Sequence, residues 1–231
     1  MSLAARSTAA ERMDTECADY EDYRRCLRDL ARVNKVTLTH RPMLAWLGRV
    51  THGLERFTLV DVACGHGDAL RRVAGWAKRR GLKPDLVGID LNPWAIDAAH
   101  AATQDSAIRF VRADVFAWTP DPRPDFIISS QFAHHLPDAA IVRFLRWMEE
   151  TAAHGWFLGD LHRHWFPYHG FPLLAHLGLW HRFVRTDGQV SIARSFRISE
   201  WERLLAQAGF APGSVPVSWH VPFRICLARS K

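Results

Sequence analysis

The stretch from Phe57 to Asp68, FTLVDVACGHGD, decides the fold of this chain. Its apolar and β-branched first half predicts a buried strand over residues 57–62. Gly65 and Gly67 then predict a tight turn in which the backbone can approach a ligand closely. Apolar residues at helical spacing follow from about residue 69, and such a helix directs its first amides into the turn. The stretch therefore predicts a strand, a ligand-binding turn and a helix in succession.

Two acids accompany this turn. Asp61 lies near the end of the first strand, and Asp90 closes a second short apolar run. In a strand–helix–strand nucleotide site, an acid at the second position accepts hydrogen bonds from ribose hydroxyls. Leu70 stands where the dinucleotide fingerprint has its third glycine, and the sequence has no phosphate-gripping G-x-x-x-x-G-K-[ST] loop. A ligand with a ribose and without a pyrophosphate fits better than NAD, and S-adenosylmethionine is such a ligand.

Around this turn the chain resembles the class I methyltransferases, which use S-adenosylmethionine and release S-adenosylhomocysteine. Their usual run is acid-x-Gly-x-Gly-x-Gly, and here Ala63 replaces the first glycine. The resemblance implies that Asp114 binds the adenine amino group and that Val115 packs on the adenine ring. The cofactor-binding residues that it implies are Asp61, Ala63, Gly65, Gly67, Asp90, Leu91, Asp114, Val115 and Ser130.

Strand-like and helix-like segments alternate through the rest of the chain. The runs 108–112, 126–129 and 156–161 indicate further strands, and 215–219 with 223–228 indicates a closing antiparallel pair. This alternation predicts an α/β fold, a Rossmann-like seven-stranded and mostly parallel sheet with helices on both faces. Ligands should then lie beyond the C-terminal ends of the parallel strands.

Two helical additions to this sheet are expected. A helical N-terminal arm, 1–54, precedes a methyltransferase domain, 55–231, and a helical cap, 162–198, is inserted after the fifth strand. The first 18 residues are small, polar and unpatterned, which indicates a mobile segment. Helical patterning starts at Tyr20, and the resemblance implies that the arm folds over the cofactor. Before the last helix, Ser199-x-x-Glu202 has the form of a capping box.

The cap is rich in aromatic residues and histidine, as in the run WFPYHGFPLLAHLGLWHRF. A connection of this length inside a compact domain is usually functional. Its apolar surface suits a flat or greasy acceptor, and it would equally suit a homodimer interface. The predicted partner is therefore a small aromatic molecule, with dimerisation as a compatible second use.

Histidines after the fourth and fifth strands are the candidates for catalysis. Methyl transfer from a sulfonium is an in-line displacement that needs alignment and, for some acceptors, a general base. His162 is the first choice for the base, because imidazole titrates near neutral pH. His134 is the second choice, because the resemblance implies a pocket-facing position for it. Its neighbour His135 lies in an H-L-P-D run that resembles a structural feature of many such enzymes. Arg163 would hold an anionic acceptor.

A metal site is an alternative use of the same region. His162 and His164 could form a metal-binding pair with Asp160. No further acid or histidine stands at a recognisable ligand spacing, so no metal is expected. The four cysteines lack a C-x-x-C spacing and are interpreted as free thiols.

The charge and the apolar patterning of the chain indicate which classes of partner and which cellular location to expect. The net charge is +6, and the 30 basic residues are dispersed in short clusters, which favours a solvated surface over a nucleic-acid site. No apolar run of about 18 residues exists, so no membrane span is expected. The N-terminus lacks an apolar signal core, and a cytoplasmic location is expected.

Together these features predict O-methylation of a small aromatic or polyketide-like acceptor at a phenolic oxygen. The runs 160–164, DLHRH, and 190–196, VSIARSF, also resemble a bacterial group associated with phenolic-lipid and polyketide tailoring in secondary metabolism. C-methylation of the quinone type, methylation of RNA or protein, and a methyltransferase-fold binding module without turnover remain alternatives. An NAD-dependent oxidoreductase fits least well, given Leu70.

Overall fold

The structure is a computed structural model that describes residues 3–104 and 108–231. Seven strands lie within these residues: β1 Arg56–Val62, β2 Lys83–Asp90, β3 Ile108–Arg112, β4 Phe126–Ser130, β5 Gly155–Leu161, β6 Val217–His220 and β7 Arg224–Ser230. They form one sheet in the order β3-β2-β1-β4-β5-β7-β6. The strands β1 to β5 are parallel, while β7 runs antiparallel to both β5 and β6. The predicted seven-stranded, mostly parallel sheet is confirmed.

The helices of the described residues are α1 Arg12–Glu16, α2 Tyr20–Val36, α3 Arg41–Val50, α4 Asp68–Lys78, α5 Pro93–Ala101, α6 Asp138–Thr151, α7 Trp165–Leu177, α8 Arg182–Arg194 and α9 Ile198–Ala208. A single 3-10 turn, Ala133–His135, follows β4. The helices α7 and α8 form the expected cap, and α8 contacts α1, α2 and the 3-10 turn. None of these helices combines the length and the apolar character that crossing a bilayer requires.

Helices cover both faces of the sheet, as predicted. On one face, Leu70 and Val73 of α4 are completely buried together with Leu47 of α3. On the other face, Phe144 of α6 and Trp201 of α9 are equally buried. Because α3 belongs to the first of these cores, the C-terminal part of the N-terminal arm is integral to the folded domain.

The start of α9 differs from the expectation. The helix begins at Ile198, and the backbone N–H of Arg197 donates to Glu200 Oε2 at 2.7 Å. The predicted Ser199-x-x-Glu202 capping box is therefore wrong by two residues. The reason is tertiary, since Phe196 is held extended by pairing with His162 and the helix can start directly after it.

The segment before α2 is packed against the domain. The Arg6 guanidinium lies 2.6 Å from the Asp138 carboxylate, and Glu11 is only 7% exposed. The prediction of a mobile segment is therefore wrong for residues 3–18, whereas residues 1 and 2 lie outside the described residues. These polar side chains find their partners more than 100 positions away in sequence, which no local pattern reveals.

Candidate active site

The turn after β1 is built from left-handed backbone. Ala63, Gly65 and Gly67 have φ values of 58°, 50° and 73°. This region costs a residue with a side chain about 1–2 kcal/mol, so two of the three positions are glycine. A Cβ at Gly67 would lie 2.7 Å from the Phe110 ring, whereas at Gly65 the nearest atom would be Leu27 Cδ2 at 3.9 Å. Gly67 is therefore required by core packing, whereas a side chain at Gly65 would meet only an ordinary van der Waals contact.

Asp90 ties this turn to the end of β2. Its Oδ2 accepts the Gly65 N–H at 3.0 Å, and its Oδ1 accepts the Asn92 N–H at 2.9 Å. Burial raises the pKa of Asp90, and these backbone donors oppose that effect. Each carboxylate oxygen keeps acceptor capacity for a further hydrogen bond, as a ribose site requires.

A cavity of about 390 Å³ opens beside the turn, at the C-terminal ends of β1, β2 and β4. We call it the cofactor cavity. Six of the residues predicted to bind the cofactor line it, namely Asp61, Ala63, Gly65, Asp90, Leu91 and Ser130. The sequence pattern thus identified one wall of the cavity.

The charge of this wall fits S-adenosylmethionine. Asp61 is 2% exposed, and none of the residues in 3–104 and 108–231 donates a hydrogen bond to its carboxylate. Burial, and then the charges of Asp68 and Asp90, raise the pKa of Asp61 well above its usual range. A buried carboxylate without a partner is costly. The ammonium and sulfonium charges of the cofactor would satisfy it, and Asp90 would hold the ribose.

Asp114 and Val115 do not line this cavity. Asp114 is exposed, and its Oδ1 accepts the N–H of Phe116 at 2.9 Å. Val115 is 6% exposed and packs in the core with Val60 and Ile89. Their proposed contacts with adenine stay a prediction.

The N-terminal arm closes the opposite wall of the cofactor cavity. Asp68 Oδ2 accepts hydrogen bonds from Asn34 Nδ2 at 3.1 Å and from His40 Nε2 at 2.8 Å. Asn34 Oδ1 accepts from Gln131 Nε2 at 2.6 Å. Burial opposes ionisation of Asp68, but the His40 and Asn34 hydrogen bonds lower its pKa to about 2. The arm is thereby bound to both the β1–α4 turn and the segment after β4.

His134 is held between two carboxylates. Its Nδ1 lies 2.7 Å from Asp160 Oδ1, and its Nε2 lies 3.5 Å from Glu11 Oε1. Burial alone would lower the pKa of His134, but the two carboxylates raise it to about 9. The ring is therefore protonated at neutral pH, and both of its nitrogens are engaged. His134 lines the cofactor cavity as predicted, yet it is poorly suited to accept a proton.

The metal alternative is not supported at the residues first considered. Asp160 is completely buried against His134, so it does not join His162 and His164. A different group, Glu11, His134 and His135, has donor atoms that all lie within 4.8 Å of one another and could hold a cation. The ion pair between His134 and Glu11 neutralises much of this group without one.

A second cavity, of about 510 Å³, lies between the cap and the arm. We call it the apolar cavity. Its walls are mostly aliphatic and aromatic, with Leu30 and Val33 from α2, Phe171 and Leu174 from α7, and Val184 from α8. The cap therefore encloses a space of the kind expected for a greasy ligand.

His162 lies in the wall of the apolar cavity. Its Nδ1 is buried and has no hydrogen-bond partner among the described residues. Burial, followed by the charges of His164 and two arginines, lowers the pKa of His162 below its usual value. His162 is therefore neutral near pH 7 and able to accept a proton.

Arg163 is not available to an acceptor, which corrects the prediction. It is 2% exposed, and its guanidinium donates to the carbonyls of Leu3 at 3.1 Å and Ser195 at 2.6 Å and to Glu200 Oε1 at 2.7 Å. Consecutive residues of an extended chain point to opposite faces. With His162 in the cavity wall, Arg163 is directed to the other side, toward α9.

Sequence reasoning missed several polar residues of the two cavities, among them Glu11, Gln131 and Arg224. Glu11 and Gln131 line both cavities, and Arg224 lines the apolar one. Glu11 lies in the segment that was expected to be mobile, and Arg224 lies on a strand that carried no motif. Only long-range packing brings these side chains to the site.

Comparison with known proteins identifies the family. A family model described as a methyltransferase domain matches residues 18–215. The chain belongs to this methyltransferase family. A search of curated proteins returned no match to the chain.

Solved structures of methyltransferases share the fold. The magnesium protoporphyrin IX methyltransferase from Synechocystis PCC 6803 with bound SAH has a TM-score of 0.58 at 17% identity, covering 91% of this chain and 94% of that one. The plantazolicin methyltransferase in complex with SAH has a TM-score of 0.59 at 15% identity, covering 85% and 79%. Human N-acetylserotonin methyltransferase in complex with SAM has a TM-score of 0.60 at 17% identity, covering 89% and 54%. Family and fold confirm the prediction of a class I methyltransferase that uses S-adenosylmethionine.

Proposed function

We propose that this methyltransferase methylates a small, largely apolar aromatic acceptor at a phenolic oxygen, with His162 as the general base. When bound, S-adenosylmethionine supplies an electrophilic methyl group on a positively charged sulfur. The observation that carries the proposal is the apolar cavity, which adjoins the cofactor cavity and holds His162 in its wall.

The two cavities share a boundary. Residues from the arm, from the segment after β4, from the end of β5 and from α8 line both, namely Glu11, Met13, Leu30, Gln131, Leu161 and Ser191. An acceptor in the apolar cavity would therefore approach a ligand in the cofactor cavity. Leu173 and Leu177 line the apolar cavity and are still 66% and 74% exposed, which supports entry of an apolar molecule along α7.

The choice of base follows from the hydrogen bonds of the two candidate histidines. His134 is bound at both nitrogens and is protonated at neutral pH. Neither ring nitrogen of His162 has a hydrogen-bond partner among the described residues, and burial lowers its pKa, so the ring is neutral at pH 7. Only a neutral imidazole can take the proton of a phenol as the new carbon–oxygen bond forms, so His162 is the better candidate.

The proteins of similar fold support a small acceptor. Their names describe methyltransferases of magnesium protoporphyrin IX, plantazolicin and N-acetylserotonin. Each of these names specifies a small molecule or a natural product as the acceptor. We extend this class of acceptor to the present chain, because its apolar cavity of about 510 Å³ offers space for a small apolar molecule.

The test is turnover with a panel of alkylphenols, read as S-adenosylhomocysteine release. The matching O-methyl ethers serve as controls, because they lack the reactive O–H. His162→Gln should lower turnover by ~10²-fold or more, as expected for removal of a general base. His169→Gln, an exposed histidine on α7, is the matched control and should leave turnover unchanged.

Three results would contradict the proposal. Turnover by His162→Gln at the wild-type rate would remove His162 from the role of base. Methylation of the O-methyl ethers at carbon, as quickly as of the phenols, would favour the C-methyltransferase alternative. Binding of the cofactor without turnover on any small acceptor would favour RNA or protein substrates or a binding module.

Some finer predictions accompany this proposal. The exposed leucines of α7 are compatible with a homodimer as well as with acceptor entry, and sedimentation velocity would separate the two. A cytoplasmic location, a role in polyketide-type secondary metabolism and the absence of a nucleic-acid partner stay predictions.

A further inference from the structure

Arg224 is a buried cation in the wall of the apolar cavity. It is 6% exposed and begins β7. Its Nη2 donates to the hydroxyls of Thr37 at 3.2 Å and Thr39 at 3.0 Å, and its Nε has no partner among the described residues. Two neutral hydroxyls are therefore the hydrogen-bond partners of this guanidinium within the part of the chain that the structure describes.

The charge of Arg224 is only partly balanced. Burial lowers its pKa to about 10, so the group is still positive at neutral pH. The charge of Asp160 opposes this effect, but the Asp160 carboxylate is hydrogen-bonded to His134. Buried charges in proteins are normally paired with an opposite charge. Arg163 illustrates the usual arrangement, since its buried guanidinium is paired with Glu200 at 2.7 Å.

The surroundings of Arg224 indicate what the missing partner would be. The cavity that it lines is otherwise dominated by aliphatic and aromatic side chains. A guanidinium presents several N–H donors in a planar fork that matches a carboxylate or a similar anion. A ligand that satisfies both features has an apolar body and one acidic group.

We infer that Arg224 binds an anionic oxygen of the acceptor other than the one that is methylated, so that the acceptor is an apolar molecule carrying a carboxylate besides its phenolic O–H. The inference rests on the proposed function in one respect, the assignment of the apolar cavity to the acceptor. Arg224 thereby takes the role that the sequence suggested for Arg163.

The position of Arg224 links this anion to the reaction centre. In the antiparallel pairing of β5 with β7, Arg224 lies opposite Leu161, which lines both cavities. His162 follows directly, and its backbone N–H donates to the carbonyl of Phe223 at 3.0 Å. The acidic group would therefore be held at the end of the apolar cavity that adjoins the cofactor cavity.

The test is a binding measurement with defined probes and without any methyl donor. Isothermal titration at pH 7.5 would compare 4-octylbenzoate with its methyl ester, which has the same apolar body without the charge. Wild-type protein should bind the acid at least tenfold more tightly than the ester.

Substitutions on one strand provide the controls. Arg224→Gln should remove the preference for the acid while ester binding persists, and Arg224→Lys should reduce the preference several-fold because it keeps the charge without the fork. Arg229→Gln lies on the same strand, where Arg229 pairs with Glu149, and it should keep the wild-type preference. Thermal melts would verify that each variant is folded. If Arg224→Gln does not fold, the binding preference of Arg224→Lys decides whether Arg224 holds the acid.

The inference fails if wild-type protein binds acid and ester equally, or if Arg224→Gln or the folded Lys variant keeps the full preference. Binding of S-adenosylhomocysteine is measured separately on the same samples. A protein that prefers the acid but binds no S-adenosylhomocysteine would contradict the proposed function and leave the anion site intact.

Discussion

Replacement of Asp90 by asparagine tests the cofactor site at its most constrained acid. The carboxylate accepts two backbone N–H groups, one of them from Gly65 in the turn and the other from Asn92. Asparagine has the same shape but only one acceptor oxygen, so one charge-assisted hydrogen bond is lost and an amide N–H₂ faces a backbone donor. A hydrogen bond to a charged group contributes about 1.5–3 kcal/mol.

The amide also offers a ribose hydroxyl a weaker, uncharged acceptor, so the expected result is a loss of cofactor affinity of about 1.5–3 kcal/mol, or about 10- to 150-fold. Isothermal titration with S-adenosylhomocysteine measures it without turnover. Asp85→Asn is the matched control on the same strand, because that side chain is exposed and pairs only with exposed Arg109 among the described residues. Its affinity should equal that of the wild-type protein.

A ligand comparison separates a ribose contact from a general loosening of the turn. Removing the ribose 2′-hydroxyl from S-adenosylhomocysteine should weaken its binding to the wild-type protein. The same removal should weaken binding to Asp90→Asn by a smaller factor, because the ligand change and the substitution both remove the same interaction. Burial raises the pKa of Asp90, so this carboxylate becomes protonated at a higher pH than an ordinary aspartate. Cofactor binding by the wild-type protein should therefore begin to weaken at that higher pH when the solution is acidified. Affinity of Asp90→Asn within threefold of wild type would refute the assignment of Asp90 to the ribose.

Further predictions concern the turn, the base and the buried arginine. Gly67→Ala should lower the free energy of unfolding by about 2–5 kcal/mol, because it adds left-handed backbone strain and an overlap with Phe110. Gly65→Ala should lower it by only about 1–2 kcal/mol, from backbone strain alone. Equal urea midpoints for the two variants would contradict this difference. Burial should keep the pKa of His162 below that of an ordinary histidine in NMR titrations, and turnover should fall as the pH drops through the measured pKa, because the protonated ring cannot act as a base. A pKa above the ordinary value would contradict the effect of burial. Arg163→Met should lower the free energy of unfolding by about 3 kcal/mol or more, because it breaks a buried ion pair and two hydrogen bonds. Its affinity for S-adenosylhomocysteine, measured by titration calorimetry, should be unchanged. A loss of ligand affinity without a loss of stability would show that Arg163 contributes to the binding site.

A truncation experiment must follow the packing of the arm. Removal of residues 1–50 would eliminate α3, whose Trp46 and Leu47 lie in the core, and the domain would be expected to unfold. Removal of residues 1–17 instead takes away Glu11 and leaves α2 and α3 in place. Comparing cofactor affinity for this shorter deletion with that of Glu11→Gln would show how far the first segment closes the cofactor cavity.

The sequence alone determined the sheet, the turn after β1 and the acids beside it. These features are contiguous: an apolar strand, two glycines and an amphipathic helix specify their own local geometry, and parallel strands bring their C-terminal ends to one edge. Asp61, Gly65 and Asp90 could therefore be assigned correctly to one cavity before any contact was known. A helical cap with an apolar surface followed from composition in the same way, whereas its division into α7 and α8 and the cavity beside them are seen only in the structure.

Only the tertiary structure decided which polar side chains face the two cavities. The sequence predicts His134 as a candidate base, but in the folded chain Asp160 and Glu11 lie against its two ring nitrogens. The sequence does not show which of Arg163 and Arg224 lines the apolar cavity. That depends on the face to which each side chain points and on the pairing of β5 with β7. Burial and charge pairing depend on residues that are distant in the chain, and a one-dimensional pattern carries no information about such contacts until the chain has folded.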